Sequence, residues 1–148
     1  MAGKVWKDEL GKYQEIIKTL EIEDRIITDF RYIPDNEVVT FYQKADLVVL
    51  PYRNIYQSGV LLLTLSYGKP VLCSDLDPFK EIINHNENGF LFQTENAQDL
   101  AHKIREIISN KSNLMKVKNN ADLIIRDNYN WIRIGQLTKK FYDLILSK

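Results

Sequence analysis

A chain of 148 residues and 17.4 kDa, with 45% hydrophobic and 27% charged residues, has the size and composition of one folded domain and not of a disordered chain. Its twenty basic and twenty acidic side chains cancel, which gives no sign of the basic excess typical of nucleic-acid-binding proteins, so no nucleic-acid partner is expected. The single cysteine, Cys73, excludes an internal disulfide framework. Because it lies in an apolar segment, we predict a small core residue and not a nucleophile.

Neither a membrane span nor a signal peptide is expected from the sequence. No apolar stretch approaches the ~20 residues of a membrane-spanning helix, and the start "MAGKVWKDEL" is charged within four residues. A cytoplasmic location is therefore expected. An apolar stripe on Trp131, Ile132, Ile134, Phe141 and Leu144 is expected to pack on this domain or on a missing one, with peripheral contact at the inner face of the membrane as the alternative.

Helical and strand patterns alternate from the amino end as far as Phe92, and only helices follow. The predicted helices are 8–22, 35–45, 58–67, a short one opened by Pro78, 96–110, about 112–127 and 131–148. The predicted strands are 25–30, 46–52, 70–74 and 90–92, of which 46–52 looks central because its apolar character is almost unbroken. Strands that alternate with helices through short loops predict an α/β fold with a mostly parallel, doubly wound sheet, in one domain with a helical tail.

A polar step, Gln57-Ser58-Gly59, stands at the start of the predicted helix 58–67. In open α/β sheets ligands bind at the carboxyl ends of the strands, where the first N–H groups of a helix lack intrahelical partners and carry partial positive charge. Such amides suit a phosphate: Gly59 admits close approach, Ser58 and Gln57 can bind oxygen atoms, and Arg53 can add a full charge. The residues alone leave open the alternative that Ser58 only caps the helix and Gly59 is only a flexible first-turn residue.

The helix behind that step is apolar on nearly every face, through Val60, Leu61, Leu62, Leu63 and Leu65. We therefore predict that it is buried between the sheet and another layer. Burial would hold its N-terminus rigidly, as an anion site requires.

The segments "ADLVVLPYRNIYQSGVLLLTLSYGKPVLCSDLDPFKEII" and "NGFLF", with the preceding "RIITDFRYIPDNEVVTFYQKADL", resemble the C-terminal, nucleotide-sugar-binding domain of group 1 (family 4) glycosyltransferases. The likeness runs from about Lys4 to Phe92. It implies the Rossmann-like C-terminal half of a GT-B enzyme, in which a missing N-terminal domain holds the acceptor and this domain, residues 1–148, binds a UDP-, GDP- or ADP-linked hexose. It also implies transfer with retention of configuration to a glycan or lipid-linked acceptor in polysaccharide biosynthesis, without a metal ion or other cofactor.

Carried over by position, the resemblance implies donor-binding roles for residues on three segments, while the catalytic residues stay unassigned. The expected contacts are the backbone amides of Ser58, Gly59 and Val60 at the diphosphate, Gln57 and Arg53 beside them, Tyr32, Ile33 and Pro34 near the base, and Glu81 at the ribose or donor sugar. The alternative for Glu81 is a surface carboxylate of a helix without a role in binding.

The chain departs from the family pattern in two respects. Many relatives carry two glutamates eight positions apart that contact the donor sugar and the ribose, and the corresponding positions here are Ile55 and Leu63, which cannot do that work. The family's domain also begins with a strand and a basic loop that are absent, so that "MAGKVW" would be its second strand. We therefore expect an unfilled sheet centre or strand pairing supplied in another way, and self-association of the chain.

Competing assignments find less support in the residues. His85 and His102 are separated and lack a carboxylate or cysteine at metal-ligand spacing, so no metal site is predicted. A phosphoacceptor receiver domain would need an acidic pair after its first strand and a lysine after its fifth, whereas Asp75 and Asp77 follow a late strand and Lys69 precedes it. The alternative function is a non-catalytic nucleotide-binding or interaction module, or one chain of a split transferase.

Overall fold

The structure, a computed structural model, describes residues 1–5 and 10–147, and the chain forms two compact units, Met1–Phe41 and Tyr42–Lys148. In the first unit helix α1 spans Leu10–Thr19, a short 3-10 turn spans Glu23–Arg25, and helix α2 starts at Asp35 and ends at Lys44, beyond the boundary between the units. The helices predicted at 8–22 and 35–45 are confirmed within the described residues, and positions 8 and 9 lie outside them. The assignment of residues 1–148 to one domain stays a prediction.

The strand predicted at 25–30 is wrong. Residues 23–25 form the 3-10 turn, and the described part of the first unit contains only an isolated parallel bridge between Ala2 and Asp29. The bridge consists of the Gly3 N–H on the Asp29 carbonyl (2.9 Å) and the Asp29 N–H on the Met1 carbonyl (2.8 Å). Two paired segments without a third strand are marginal in water, which explains why neither grows into a full strand. Residue 6, the end of the predicted second strand, lies outside the described residues.

The second unit contains all the regular strands of the described chain. Its elements are β1 (Val48–Leu50), α3 (Gly59–Ser66), β2 (Val71–Ser74), α4 (Asp77–Lys80), β3 (Phe90–Phe92), α5 (Ala97–Ser109), α6 (Lys111–Asn128) and α7 (Trp131–Leu146). Strands and helices therefore alternate as far as β3, and helices alone follow, as the sequence predicts.

The sheet is parallel, in the order β1-β2-β3, with Val48 beside Val71 and Leu72 beside Phe90. All four residues of β2 are buried, whereas β1 is only partly buried and has no strand on its outer edge among the described residues. The prediction that 46–52 is the central strand is therefore wrong, since the middle position belongs to β2.

Successive side chains of β2 enter two different hydrophobic clusters, because side chains alternate across a strand. Val71 and Cys73 pack with residues of α3 and α4, and Leu72 packs with residues of β3 and α5. Helix α6 contributes Ala121 to the first cluster and Val117 to the second. Helices thus cover both faces of the sheet, and the predicted doubly wound, Rossmann-like α/β fold with C-terminal helices is confirmed.

Cys73 is a core residue, as predicted. Its side chain is fully buried, and Sγ lies 3.7 Å from the Phe90 carbonyl oxygen. Burial raises the pKa of the Cys73 thiol to about 12. The thiol is therefore protonated at neutral pH and is not a nucleophile.

Helix α3 is not buried on every face, and this prediction is wrong. Leu61 and Leu65 are buried against the sheet and α6, but Val60 and Leu63 are 42% and 40% exposed. Periodicity shows that a helix is apolar all round, but it does not show what covers each face. One face of α3 has its partners in this chain and the other is open to solvent among the described residues.

The apolar stripe of α7 does not pack on this domain as expected. No residue of α7 is buried, and Trp131, Ile132, Phe141 and Leu144 are between 60% and 85% exposed. Packing of the stripe on a missing domain, and self-association of the chain, stay predictions. Within 1–5 and 10–147 no helix combines the length and apolar character that a membrane crossing requires.

Gly89 allows the turn before β3 to lie close to the core. A Cβ atom at this position would approach Ile83 Cγ2 to 2.8 Å and Val71 Cγ1 to 3.2 Å, and both neighbouring side chains are buried. We therefore expect Gly89→Ala to lower the free energy of unfolding by about 1–3 kcal/mol in urea denaturation. Gly135→Ala is the matched control because nothing lies within 4 Å of its Cβ position in α7, and equal stability of both variants would contradict the packing argument.

His85 supports β3 through a hydrogen bond that depends on pH. The Leu91 N–H donates to His85 Nδ1 (2.9 Å), which requires an unprotonated Nδ1. Burial and the charge of Lys103 lower the pKa of His85, against weaker opposing effects of Glu106 and Asp99. A lowered pKa favours the neutral ring in the folded state, so its stabilisation is complete above the unfolded pKa of about 6.5 and is lost as the pH falls through the folded value.

Wild type is therefore expected to lose more stability between pH 7.5 and pH 5 than His85→Gln, measured by urea denaturation at both pH values. Other acid-sensitive groups are common to the two proteins and cancel in the comparison. An equal loss in both would show that the His85 bond does not contribute.

Candidate functional site

The loops that follow the three strands meet at one edge of the sheet, because parallel strands end on the same side. These loops are 51–58 after β1, 75–76 after β2 and 93–96 after β3, and all belong to the second unit. The predicted polar step lies in the first of them. This edge is where an open α/β sheet binds its ligands.

The N-terminus of α3 presents two backbone amides without partners. Ser58 is its N-cap: Oγ accepts the Leu61 N–H (3.0 Å), and the Ser58 carbonyl accepts the N–H groups of Leu61 and Leu62. The amides of Gly59 and Val60, like the amide of Ser58 in front of the helix, make no hydrogen bond within the described chain. Ser58 is thus a cap, as the alternative held, and the two free amides still form the positive end of a helix.

A shallow depression of about 320 Å³ opens in front of these amides. Its lining residues are Tyr52, Asn54, Ile55, Gln57, Ser58, Gly59 and Val60. The structure thus brings the predicted residues 57–60 together around one open space. Nothing lies within 4 Å of the Cβ position of Gly59, so a ligand has room to approach the backbone there.

Arg53 does not line the depression and already has a partner. Its Nε lies 3.4 Å from Glu95 Oε1 in the loop after β3, and the two side chains are 76% and 65% exposed. Such exposed pairs contribute about 0–1 kcal/mol, so the guanidinium can exchange this carboxylate for another anion at small cost. Glu95 has a φ of 61°, the left-handed conformation that side chains rarely adopt.

Contacts with the core anchor the loop 51–58 at Tyr52 and Ile55. Ser74 Oγ donates to the Tyr52 carbonyl (2.6 Å), and the Tyr52 ring stacks on Phe79 at 5.8 Å. Ile55 packs against the cluster that contains Leu61. Burial, with a smaller contribution from Tyr42, raises the pKa of Tyr52, so its phenol stays neutral. The first turn of α3 therefore keeps its orientation without a ligand.

Asp75 joins the loop after β2 to the loop after β3. Its Oδ1 accepts both the Thr94 hydroxyl (2.6 Å) and the Thr94 N–H (2.8 Å). These bonds lower the pKa of Asp75, so the carboxylate is charged at neutral pH. These hydrogen bonds fix the position of Thr94 at the edge of the sheet. Glu95, the next residue in the chain, is thereby held beside Arg53.

The remaining predicted residues lie outside the depression. Glu81 is exposed and is the C-cap residue of α4 in the second unit. Tyr32, Ile33 and Pro34 belong to the first unit, where Tyr32 is 69% exposed and the Pro34 carbonyl accepts N–H groups at the start of α2. Their roles at the base and the ribose stay predictions.

Sequence reasoning missed four contributors to this edge: Tyr52, Asn54, Asp75 and Glu95. Only Asn54 and Tyr52 had a sequence signal, since they border the Gln-Ser-Gly step. At the two positions where the family resemblance implies glutamates, the chain has Ile55, which is half-buried, and Leu63, which is 40% exposed. In the part of the chain that the structure describes, no three His, Cys, Asp or Glu residues cluster as metal ligands would.

Solved structures of GT-B glycosyltransferases contain the same fold as this chain. Anabaena HepE, crystallised in complex with UDP, superposes with a TM-score of 0.85 at 21% identity over 96% of this chain and 39% of its own. The C-terminal domain of a group 1 glycosyltransferase (LpcC) from Francisella tularensis superposes with a TM-score of 0.74 at 21% identity, over 82% of this chain and 62% of its own.

The chain belongs to the group 1 glycosyltransferases: residues 1–123 match the family described as "Glycosyl transferases group 1". An uncharacterized glycosyltransferase of Haemophilus influenzae is 24% identical over 122 residues, 81% of this chain and 33% of that protein. A GDP-mannose:glycolipid 4-beta-D-mannosyltransferase of Xanthomonas campestris pv. campestris is 30% identical over 137 residues, 90% of this chain and 37% of that protein. The chain thus spans about a third of the length of these relatives.

Proposed function

We propose that this chain is the donor-binding part of a retaining glycosyltransferase that moves a hexose from a nucleoside diphosphate sugar to a glycan or lipid-linked acceptor. The observation that carries the proposal is the pair of free amides, Gly59 and Val60, facing an open depression at the carboxyl edge of the sheet. Support also comes from relatives. Solved structures of HepE hold UDP and UDP-glucose, and the Xanthomonas relative is named for a GDP-mannose donor and a glycolipid acceptor.

In the proposed mechanism the diphosphate lies against the first turn of α3. The amides of Gly59 and Val60 donate to its oxygens, the Ser58 hydroxyl can donate its proton while Oγ keeps the Leu61 N–H, and the helix dipole adds partial positive charge. Arg53 turns from Glu95 to the phosphate. These groups stabilise the negative charge that develops on the leaving diphosphate, and in this proposal no metal ion is needed for it.

In this proposal the acceptor binds to a second, N-terminal domain. The reactive cleft lies between that domain and this chain. Polysaccharide biosynthesis in the cytoplasm, with peripheral contact at the inner face of the membrane, is the setting we propose for this reaction.

One observation favours a second candidate. Ile55 and Leu63 stand at the positions where the family resemblance implies glutamates that contact the donor sugar and the ribose. A chain without them fits a non-catalytic nucleotide-binding module, or one chain of a split transferase. An assay of the chain with its acceptor domain distinguishes these functions, because only the transferase turns over.

A calorimetric panel of UDP, GDP, ADP, their hexose conjugates and the three nucleosides tests donor binding. We expect one base to be preferred, and the diphosphate or its sugar to bind more tightly than the nucleoside, because the phosphate contacts are the best formed. At a ligand concentration of 100 times the dissociation constant the folded state gains about 2.7 kcal/mol. Binding of the nucleoside as tight as that of the diphosphate would contradict the role of residues 57–60.

A further inference from the structure

A second, larger depression lies at the opposite edge of the sheet, where the strands begin. It has a volume of about 550 Å³, within the range of small-molecule sites. Leu47 and Pro70, which directly precede β1 and β2, line it on one side, and the end of α5 with the start of α6 lines it on the other. The N-terminus of α3 lies at the carboxyl edge of the sheet, so this groove is separate from the proposed donor site.

One face of α6 supplies the main wall of this groove. Lys111, Leu114, Met115 and Lys118 follow the spacing i, i+3, i+4, i+7 and therefore lie side by side. Leu114 and Leu47 also pack on the hydrophobic cluster around Leu72, so the floor of the groove is continuous with the core. Met115, which is 56% exposed, extends the apolar surface outward.

Two of the three lysine side chains that line the groove have no partner among the described residues. Lys69 Nζ donates to the carbonyls of Gln43 (3.2 Å) and Ala45 (2.9 Å) and so fixes the end of α2. The ammonium groups of Lys111 and Lys118 make no ion pair or hydrogen bond with any described residue. They lie two turns apart, about 10 Å along the helix, so their long side chains can meet over one anion. The single carboxylate of the lining, Asp46, leaves an excess of positive charge.

Although the total charge of the chain is zero, its positive and negative side chains are distributed unequally along the sequence. Residues 103–148 contain ten basic and four acidic side chains, whereas residues 1–102 contain ten basic and sixteen acidic ones. The α6 wall of the groove belongs to the positive segment, and such an excess of positive charge favours an anionic ligand.

We propose that this groove binds a lipid-type amphiphile with a phosphate headgroup, one molecule per chain. Its hydrocarbon chain lies on the floor formed by Leu47, Leu114 and Met115, and its phosphate lies between Lys111 and Lys118. The combination of an apolar floor with two unpaired ammonium groups fits neither a neutral lipid nor a free anion. This site is independent of the donor site.

The experiment is isothermal titration of the chain at pH 7.5 with dodecyl phosphate below its micelle-forming concentration. Dodecyl maltoside presents the same hydrocarbon chain with a neutral headgroup, and inorganic phosphate presents the anion alone. We expect one dodecyl phosphate per chain, with binding at least about tenfold tighter than that of either control. Equal affinity for dodecyl maltoside, or for inorganic phosphate, would overturn the proposal.

Variants then locate the site. The double variant Lys111→Gln, Lys118→Gln is expected to weaken dodecyl phosphate binding about tenfold or more, and Met115→Gln several-fold. Lys116→Gln, Lys139→Gln is the matched control: it removes the same charge from exposed lysines that do not line the groove, and its affinity should stay within about twofold. Equal losses in the two double variants, or displacement of dodecyl phosphate by UDP, would show that the ligand binds elsewhere.

Discussion

Replacement of Gly59 with valine is expected to abolish stabilisation of this chain by UDP or by whichever diphosphate it prefers. The branched side chain would stand in the open space in front of the α3 amides, where the diphosphate must approach the backbone. At 100 times the wild-type dissociation constant the loss is about 2.7 kcal/mol of ligand-induced stability, read from thermal or urea unfolding with and without ligand.

The same replacement should leave the unliganded fold intact. Apart from the adjoining residues and the backbone of the helix itself, no atom lies within 4 Å of the Cβ position, and Ser58 keeps its capping bond to Leu61. Gly11→Val, at an equally open position in α1, controls for the effect of a β-branched residue in a helix. If Gly59→Val binds the diphosphate normally, the anion site lies elsewhere.

The chain on its own is expected to transfer no sugar, so that product formation from a radiolabelled donor stays at background. Positioning two substrates in one closed cleft supplies effective molarities of about 10⁵–10⁸ M, and only the donor wall is proposed to lie in this chain. The basic loop expected from the family is also absent from these residues, and loss of a single group that stabilises the transition-state charge commonly costs about 10²–10³ in rate.

The matched experiment repeats the assay with the acceptor domain present, joined or added in trans, and follows assembly by light scattering. Restoration of turnover by the acceptor domain is the expected result. Turnover by a strictly monomeric chain would contradict both the division of labour between the domains and the predicted self-association of the chain.

Local sequence patterns were sufficient to predict those elements that depend on residues close together in the chain. The short strand 90–92 and the helix starting after Ser58 follow from periodicity and capping chemistry, and the structure has them at Phe90–Phe92 and Gly59–Ser66. Cys73 could be assigned to the core because an apolar strand between two helices is covered on both faces. The polar step Gln57-Ser58-Gly59 could be assigned to the N-terminus of a helix for the same local reasons.

Features that depend on distant neighbours could not be predicted in this way. The pairing of Arg53 with Glu95, and of Asp75 with Thr94, depends on the order of β1, β2 and β3 in the sheet. The central place of β2 and the open face of α3 likewise depend on which partners this chain contains. The segment 25–30 has the composition of a strand, but strand formation requires neighbouring strands that composition does not supply.

The most direct test of the diphosphate site is a nitrogen–proton correlation NMR titration of the chain with UDP, with uridine as the control. UDP is expected to shift the backbone amide signals of Gly59 and Val60 most, because these two free N–H groups would gain phosphate acceptors, while uridine leaves them nearly unchanged. If UDP binds but its largest shifts lie away from residues 57–60, or if uridine shifts these amides equally, helix α3 does not hold the diphosphate.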